Sequence, residues 1–185
     1  MRNNPCRMST KIGATLNELL EPDNRPTRSK LRKLFKDPIF IPRYNVALSE
    51  QRDLALERLK VIASSKAFSV FDFKKNPLNI FAAHELAGMV DGSMATKLTV
   101  QWNLFGGTVL TLGGDENQKL LEKVDTLENV GCFALTELGY GNNAVEMETT
   151  ATFDARTKEL VVHTPSVLAQ KYWITNSASK IFSLI

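Results

Sequence analysis

An α+β fold is predicted, with an all-helical N-terminal domain followed by the first strands of a β domain. Three observations predict it. Residues 49–66, SEQRDLALERLKVIASSK, put Leu54, Leu56, Leu59 and Ile62 largely on one side of a helix. Two long apolar stretches follow, PLNIFAAHELAGMV and GSMATKLTVQWNLFGGTVLTLG, each too long for a strand and of helical character. The composition then changes at Gly131: METTATFD and KELVVHT are rich in β-branched residues and flank the turn DARTK, which is a hairpin pattern.

In chain order, STKIGATLNELLE offers Ser9 as an N-cap before apolar residues at helical spacing. EPDNRPTRSK is a polar breaker with two prolines. SKLRKLFKDP is a short basic helix ending at Pro38, and FIPRYNVA is expected to be extended. In the clearest helix, Ser49 begins a capping-box-like pattern with Arg52 at the third position. Asp53 and Glu57 lie early and Lys60 late, the sense the helix dipole favours. The Gly106–Gly107 pair costs helix stability but permits close helix–helix approach. DENQKLLEKVDTLEN is an amphipathic helix. KYWIT and IFSLI are two further strand candidates. The domain organisation expected is an N-terminal extension over 1–29, a helical domain over 30–128 and an incomplete β domain over 129–185.

The bulk numbers exclude several classes. A chain of 185 residues, 43% hydrophobic and 23% charged, is long enough to bury a core without staples. A net charge of +3 is too small to imply nucleic acid. No apolar run approaches the roughly 18 residues of a membrane span. The N-terminus has no apolar stretch of the secretory type, and the terminal Ser-Leu-Ile is not the Ser-Lys-Leu peroxisomal address. Two cysteines, Cys6 and Cys132, suit a reducing compartment. His84 and His163 have no acidic or thiol neighbours at metal-ligand spacing, so no metal site is expected. Cys132 in an apolar run is expected to be an inert thiol. RSKLRK is either an anion-binding patch or a solvated charge run.

Two stretches stand out as candidate sites. In GCFALTELGYGNN, residues 131–143, a strand runs into a turn with Gly139 and Gly141, and Thr136 sits where the strand ends. An ordinary strand-to-loop connection accounts for the same residues, and Gly-x-Gly alone is not the dinucleotide fingerprint. In KYWIT, Trp173 can pack on a ring system, with the Thr175 hydroxyl on the same strand face. A core tryptophan explains that pattern equally well.

The stretch GCFALTELGYGNNAVEMETTATFD resembles the signature of the acyl-CoA oxidase family, Gly-Cys-Phe-Ala-x-Thr-Glu-Leu-Gly-His-Gly-Ser-Asn followed by Glu-Thr-Thr-Ala-Thr. LFKDPIFIPRYNVALSEQRDLALERLK is similar to the helical entry region of those oxidases, and VQWNLFGGTVLTLGG to the helix before the signature. The resemblance runs from about Lys30 to Asn176. It implies an acyl-CoA dehydrogenase-like fold with FAD held between a helical domain, a β domain and a C-terminal helical region. It further implies α,β-desaturation of an acyl-CoA in fatty acid β-oxidation, with a glutamate as base and electrons passed to oxygen to give hydrogen peroxide. A peroxisomal, homodimeric flavoprotein is expected on the same ground.

By that resemblance Thr136 is the threonine that hydrogen-bonds the flavin ring, and Phe133, Ala134 and Leu135 line it. Trp173 and Thr175 belong to the second flavin-contacting strand. Gly139, Gly141 and Asn142 belong to the turn near the FAD pyrophosphate and the acyl-CoA. Three positions depart from the pattern. Tyr140 replaces a histidine, Asn142 replaces a serine with a longer amide that still donates and accepts, and Thr175 replaces a glycine. WITN is the dehydrogenase form, so reduced oxygen reactivity is expected. The glutamate base is expected to lie beyond residue 185, so no catalytic residue is assigned, and the chain reads as a truncated piece that by itself neither holds FAD tightly nor catalyses. An acyl-CoA dehydrogenase with another acceptor, and a non-catalytic remnant acting through protein contacts, are the two alternatives.

Overall fold

A computed structural model describes the backbone of residues 6–176 and the side chains of residues 12–176 other than Gln118. The IFSLI strand candidate lies outside them. Helix α1 spans Cys6–Leu20, so Ser9 lies inside the helix and not at its N-cap. Helix α2 spans Arg25–Leu34, with a proline in its first turn. It therefore crosses residue 30. Its preceding residue, Asn24, accepts a 2.7 Å hydrogen bond from Asn76, which ties α2 to the start of a later helix.

Helix α3, Leu48–Ser65, follows. Its N-cap is Ala47, which has no side chain to cap with, and Ser49 falls within the first turn. FIPRYNVA is extended at Ile41 and Ala47 but pairs with no strand among the described residues, and Asn45 between them is left-handed. Pro38–Phe40, at its start, is a 3-10 turn, and the Ile39 and Ile41 carbonyls accept hydrogen bonds from Arg58 at 2.8 Å each. Backbone groups that a strand would have paired are satisfied by one buried guanidinium. Short α4 (Asp72–Lys75) leads to α5 (Pro77–Val90). Asp91 then caps α6 (Gly92–Leu98), accepting from the N–H groups of Ser93 and Met94 at 2.9 and 3.2 Å.

The third predicted helix is continuous from Gly92 to Leu112 but changes character midway. Thr99–Gly106 is π-helical, and Gly107–Leu112 returns to α geometry as α7. Helix α8 is Gln118–Asp125. The core lies where α2, α3, α5, α6 and the π-helical segment meet, around Leu31, Leu59, Ile62, Ile80, Met94 and Trp102, all 1% exposed or less. Each such side chain contributes about 1.5–3 kcal/mol by leaving water. Gly106 permits the close approach: a Cβ there would stand 2.7 Å from Val70.

The β part begins at Gly131. Strands β1 (Thr150–Asp154) and β2 (Glu159–His163) pair antiparallel, Thr150 opposite His163 and Asp154 opposite Glu159. The hairpin sits where the sequence placed it. One face carries Ala151, Phe153, Leu160 and Val162, and both strands are exposed along nearly their whole length. No helix among the described residues is long and apolar enough to cross a membrane.

Candidate functional site

Both sequence-selected stretches come together. Thr136–Gly139 pair antiparallel with Leu168–Tyr172 around an isolated Glu137–Lys171 bridge, and neither stretch forms a regular strand. Tyr172 N–H donates to the Thr136 carbonyl at 3.0 Å, Leu138 N–H to Gln170 at 2.9 Å and Gly139 N–H to Leu168 at 2.9 Å. At the far end the Asn176 amide donates to the Gly131 carbonyl at 3.3 Å, while Lys97 reaches Asn176 from α6. Thr136 thus lies across from Tyr172, and the two selected stretches meet there and again at Gly131 and Asn176.

Phe133, Ala134 and Leu135 also wall an apolar cavity of about 470 Å³. Its other walls are Phe105 and Val109 from the helical part and Val162 from the hairpin. The cavity is therefore the seam between the two parts. Trp173 and Thr175 do not line it, and neither do Gly139, Gly141 and Asn142, which lie on the exposed loop beyond the strand. Trp173 is 81% exposed, with a left-handed φ of 60°, and its ring stands edge-on to Tyr172 at 5.1 Å. That backbone breaks the alternation expected of KYWIT, which is not a regular strand. A left-handed tryptophan is rare enough to mark a constrained position.

No protein-family profile matches the chain. It is 36% identical to human peroxisomal acyl-coenzyme A oxidase 3 over 145 residues, which is 77% of this chain and 21% of that protein. It is 36% identical to Arabidopsis thaliana acyl-coenzyme A oxidase 2 over 72% of this chain and 20% of that protein. The crystal structure of Yarrowia lipolytica acyl-CoA oxidase 1 superposes on 83% of the chain and 22% of its own, with a TM-score of 0.69 and 28% identity. Caenorhabditis elegans acyl-CoA oxidase-2, solved with FAD, ascaroside-CoA and ATP, matches 81% of the chain and 22% of its own, with a TM-score of 0.61 and 27% identity. The chain belongs to the acyl-CoA oxidase family. It spans about a fifth of the length of the relatives it matches.

Within this acyl-CoA oxidase segment, the loop after the strand is closed by a carboxylate the sequence reading left without a role. Glu137 is 2% exposed and accepts from Glu148 N–H at 2.9 Å, Thr149 N–H at 3.0 Å and Lys171 Nζ at 3.0 Å. Burial pushes its carboxyl up, but hydrogen bonds from Thr149, Glu148 and Lys171 outweigh it and hold it at about 2. Glu148 accepts from the hydroxyls of Tyr140 and Ser166, the latter at 2.7 Å. Those two bonds lower its carboxyl, while the hydrogen bond Tyr140 donates to it, with burial, raises the phenol. Tyr140, at the position where a histidine is usual, is thus half of a clasp across the loop. Gly141 takes a φ of +54°, and a Cβ on Gly139 would stand 2.7 Å from Leu168, so both glycines are needed for the turn.

The weaker candidates resolve plainly. Cys132 is buried, and burial pushes its thiol up, as an inert core cysteine requires. Burial pushes the His84 imidazole down, and its Nδ1 pairs with the Ile80 carbonyl at 2.8 Å. Among the described residues no cluster of three metal-ligating side chains exists. Gln101 is the other residue the sequence reading passed over. A fully buried amide in an apolar helix is the only signal it gives.

Proposed function

We propose that this chain is part of an FAD-dependent acyl-CoA oxidase of peroxisomal fatty acid β-oxidation, homodimeric when whole. The observation that carries this reading is the meeting of the two stretches, with Thr136–Gly139 paired antiparallel to Leu168–Tyr172, beside an apolar cavity walled by Phe133, Ala134 and Leu135. The proposed division is an extension over 1–29, a helical domain over 30–128 and the start of a β domain from 129, with the first boundary moved ahead of Arg25 because α2 runs through residue 30 and buries Arg28 and Leu31.

The residues present fit a flavin. Trp173 offers an exposed aromatic face, and Thr136 and Thr175 offer hydroxyls that donate or accept at ring heteroatoms. Bound FAD supplies a two-electron acceptor. Phe133, Ala134 and Leu135 hold the ring edge, and the cavity behind them accepts the acyl chain and excludes water from it. Gly139, Gly141 and Asn142 bind the polar part of the acyl-CoA through backbone and amide groups. Neither Glu137 nor Glu148 is the base. A carboxylate held at about 2 that already accepts three hydrogen bonds is a poor proton acceptor, and Glu148 is committed to two hydroxyls.

Replacing the matching segment of Yarrowia lipolytica acyl-CoA oxidase 1 with residues 30–176 of this chain tests the reading. A soluble chimera that retains FAD and bleaches on adding acyl-CoA is expected, and a soluble colourless chimera overturns it. Thr175 favours a second reading, a dehydrogenase-type acceptor. In the chimera, Thr175→Gly is expected to speed reoxidation of the reduced flavin by oxygen. Equal rates would sink that idea. The exposed apolar hairpin face favours a third reading, a non-catalytic protein that works through contacts, for which a colourless chimera is the expected result.

A further inference from the structure

We infer that Gln101 is a positioning residue: carried inward by the π-helical segment, it sets the height of the Gly131–Leu135 strand over α7 and so the shape of the cavity. The inference rests on the acyl-cavity reading for its functional meaning. Gln101 is 0% exposed, and its amide is fully used at the junction of the two parts. Its Nε2 donates to the Val124 carbonyl at 3.1 Å and to the Asn129 carbonyl at 2.7 Å, at the end of α8 and just before the strand. Its Oε1 accepts from Gly131 N–H at 3.0 Å, at the first residue of the strand. One side chain thereby joins the helix, the connection and the strand.

The π geometry explains why this residue reaches inward. In a π segment the backbone bonds run between residues five apart, so the turn is wider than in an α-helix and the side chains after it are turned to new directions, and such segments recur at functional positions. Gln101 and Gly106 are five apart and both buried, with Gly106 against Val70 and Val124. Phe105, from the same segment, lies directly under Gly131, where an added Cβ would come within 2.1 Å of the ring. Phe105 also lines the cavity together with Cys132 and Phe133, the next residues of the strand. Moving Gly131 therefore moves the cavity wall. Trp102 in the same segment bonds Asp125 at 2.9 Å, does not touch the strand through that bond and does not line the cavity.

The test uses the whole chain, with amide hydrogen exchange at Gly131 and binding of the fluorescent acyl-CoA cis-parinaroyl-CoA as readouts. In the unaltered chain Gly131 N–H is expected to exchange as slowly as the helical core, and faster exchange, at the rate of the exposed hairpin, overturns the inference without any variant. Gln101→Met keeps the volume and removes the three bonds. It is expected to speed Gly131 exchange at least tenfold and to weaken probe binding about tenfold. Trp102→Phe is expected to lower the melting midpoint while leaving both readouts unchanged. If Trp102→Phe moves both readouts as far as Gln101→Met, Gln101 has only a general structural role and the inference fails. If the unaltered chain does not bind the probe, the acyl reading of the cavity fails, and the exchange pattern still decides whether Gln101 places the strand.

Discussion

The helical part and the hairpin bury their side chains to opposite degrees. In the helical part even cations are taken inside: Arg28 and Arg58 are 3% and 5% exposed, each held by several partners. In the hairpin the apolar side chains stand in the open, with Phe153 61% and Leu160 64% exposed. The first part is a finished core in which loops are shaped by buried charge. The second is a surface whose apolar face meets the helical part only across the cavity, at Ala151 and Val162, and is exposed at Phe153 and Leu160. Sheets of this kind are stable only when one face is packed against something. Stability in this chain should therefore reside almost wholly in the helical part, and the sharpest experiments separate the two.

The largest effect is expected at Arg58. It bonds Asp91, whose side chain is 12% exposed, and the carbonyls of Ile39 and Ile41. Arg58→Met leaves Asp91 with only its cap bonds to Ser93 and Met94 and leaves two carbonyls without their donor, and breaking a buried pair in this way costs about 3–5 kcal/mol. Denaturant unfolding should show it, and a loss below 1 kcal/mol would mean that water reaches the pair. Next comes the junction. Gly131→Ala drives a methyl into the Phe105 ring, and such overpacking costs about 1–3 kcal/mol. It should also alter the cavity, whereas Arg58→Met should leave the surviving folded molecules with a normal one.

How much of this was legible in the sequence depended on the kind of signal. Apolar periodicity gave α3, with Leu59 and Ile62 buried as expected and Leu54 and Leu56 only half so, a long apolar run gave α5, and β-branched runs around DARTK gave the hairpin, because these patterns are local. The signature run and Trp173 pointed to two segments far apart in sequence, and the structure pairs them. FIPRYNVA is extended at Ile41 and Ala47 as expected, but it joins no sheet among the described residues: Arg58, 17 positions later, takes the Ile41 carbonyl, and Asn45 has a left-handed backbone. KYWIT was misread as a strand because its left-handed tryptophan leaves no trace in composition. The roles of Gln101 and Glu137 were hidden for the same reason: each is decided by partners 11 to 34 residues away.

A smaller effect is expected at Glu137, which closes the same loop as the Tyr140–Glu148 clasp through Glu148 N–H, Thr149 N–H and Lys171, and it has a definite pH signature. Glu137 has a folded value of about 2 against an ordinary 4.5. A carboxyl lowered by folding contributes stability fully above its unfolded value, and that contribution is lost as pH falls from about 4.5 towards 2. Glu137→Gln removes the titration, so the acid limb of a stability-against-pH curve should flatten over that window. An unchanged acid limb would show that the loop opens without affecting the rest of the fold, and would confine cooperative stability to the helices.

The smallest effect on stability is expected in the hairpin, and it gives the comparison its most direct check. Phe153 and Leu160 face each other across β1 and β2 on the apolar side, and neither belongs to the core cluster. Exchanging both for threonine keeps the strand propensity and removes the exposed apolar area. Because little is buried, the change in unfolding free energy should stay within about 0.5 kcal/mol, the usual range for surface sites. Self-association should fall, since an uncovered apolar face beside unpaired strand edges favours sticking. Light scattering at matched concentration reads the second effect and denaturant unfolding the first. A loss of stability as large as that of Arg58→Met would mean that the hairpin is already packed against the helical part in solution, and the division of the chain into a finished core and an uncovered face would be wrong.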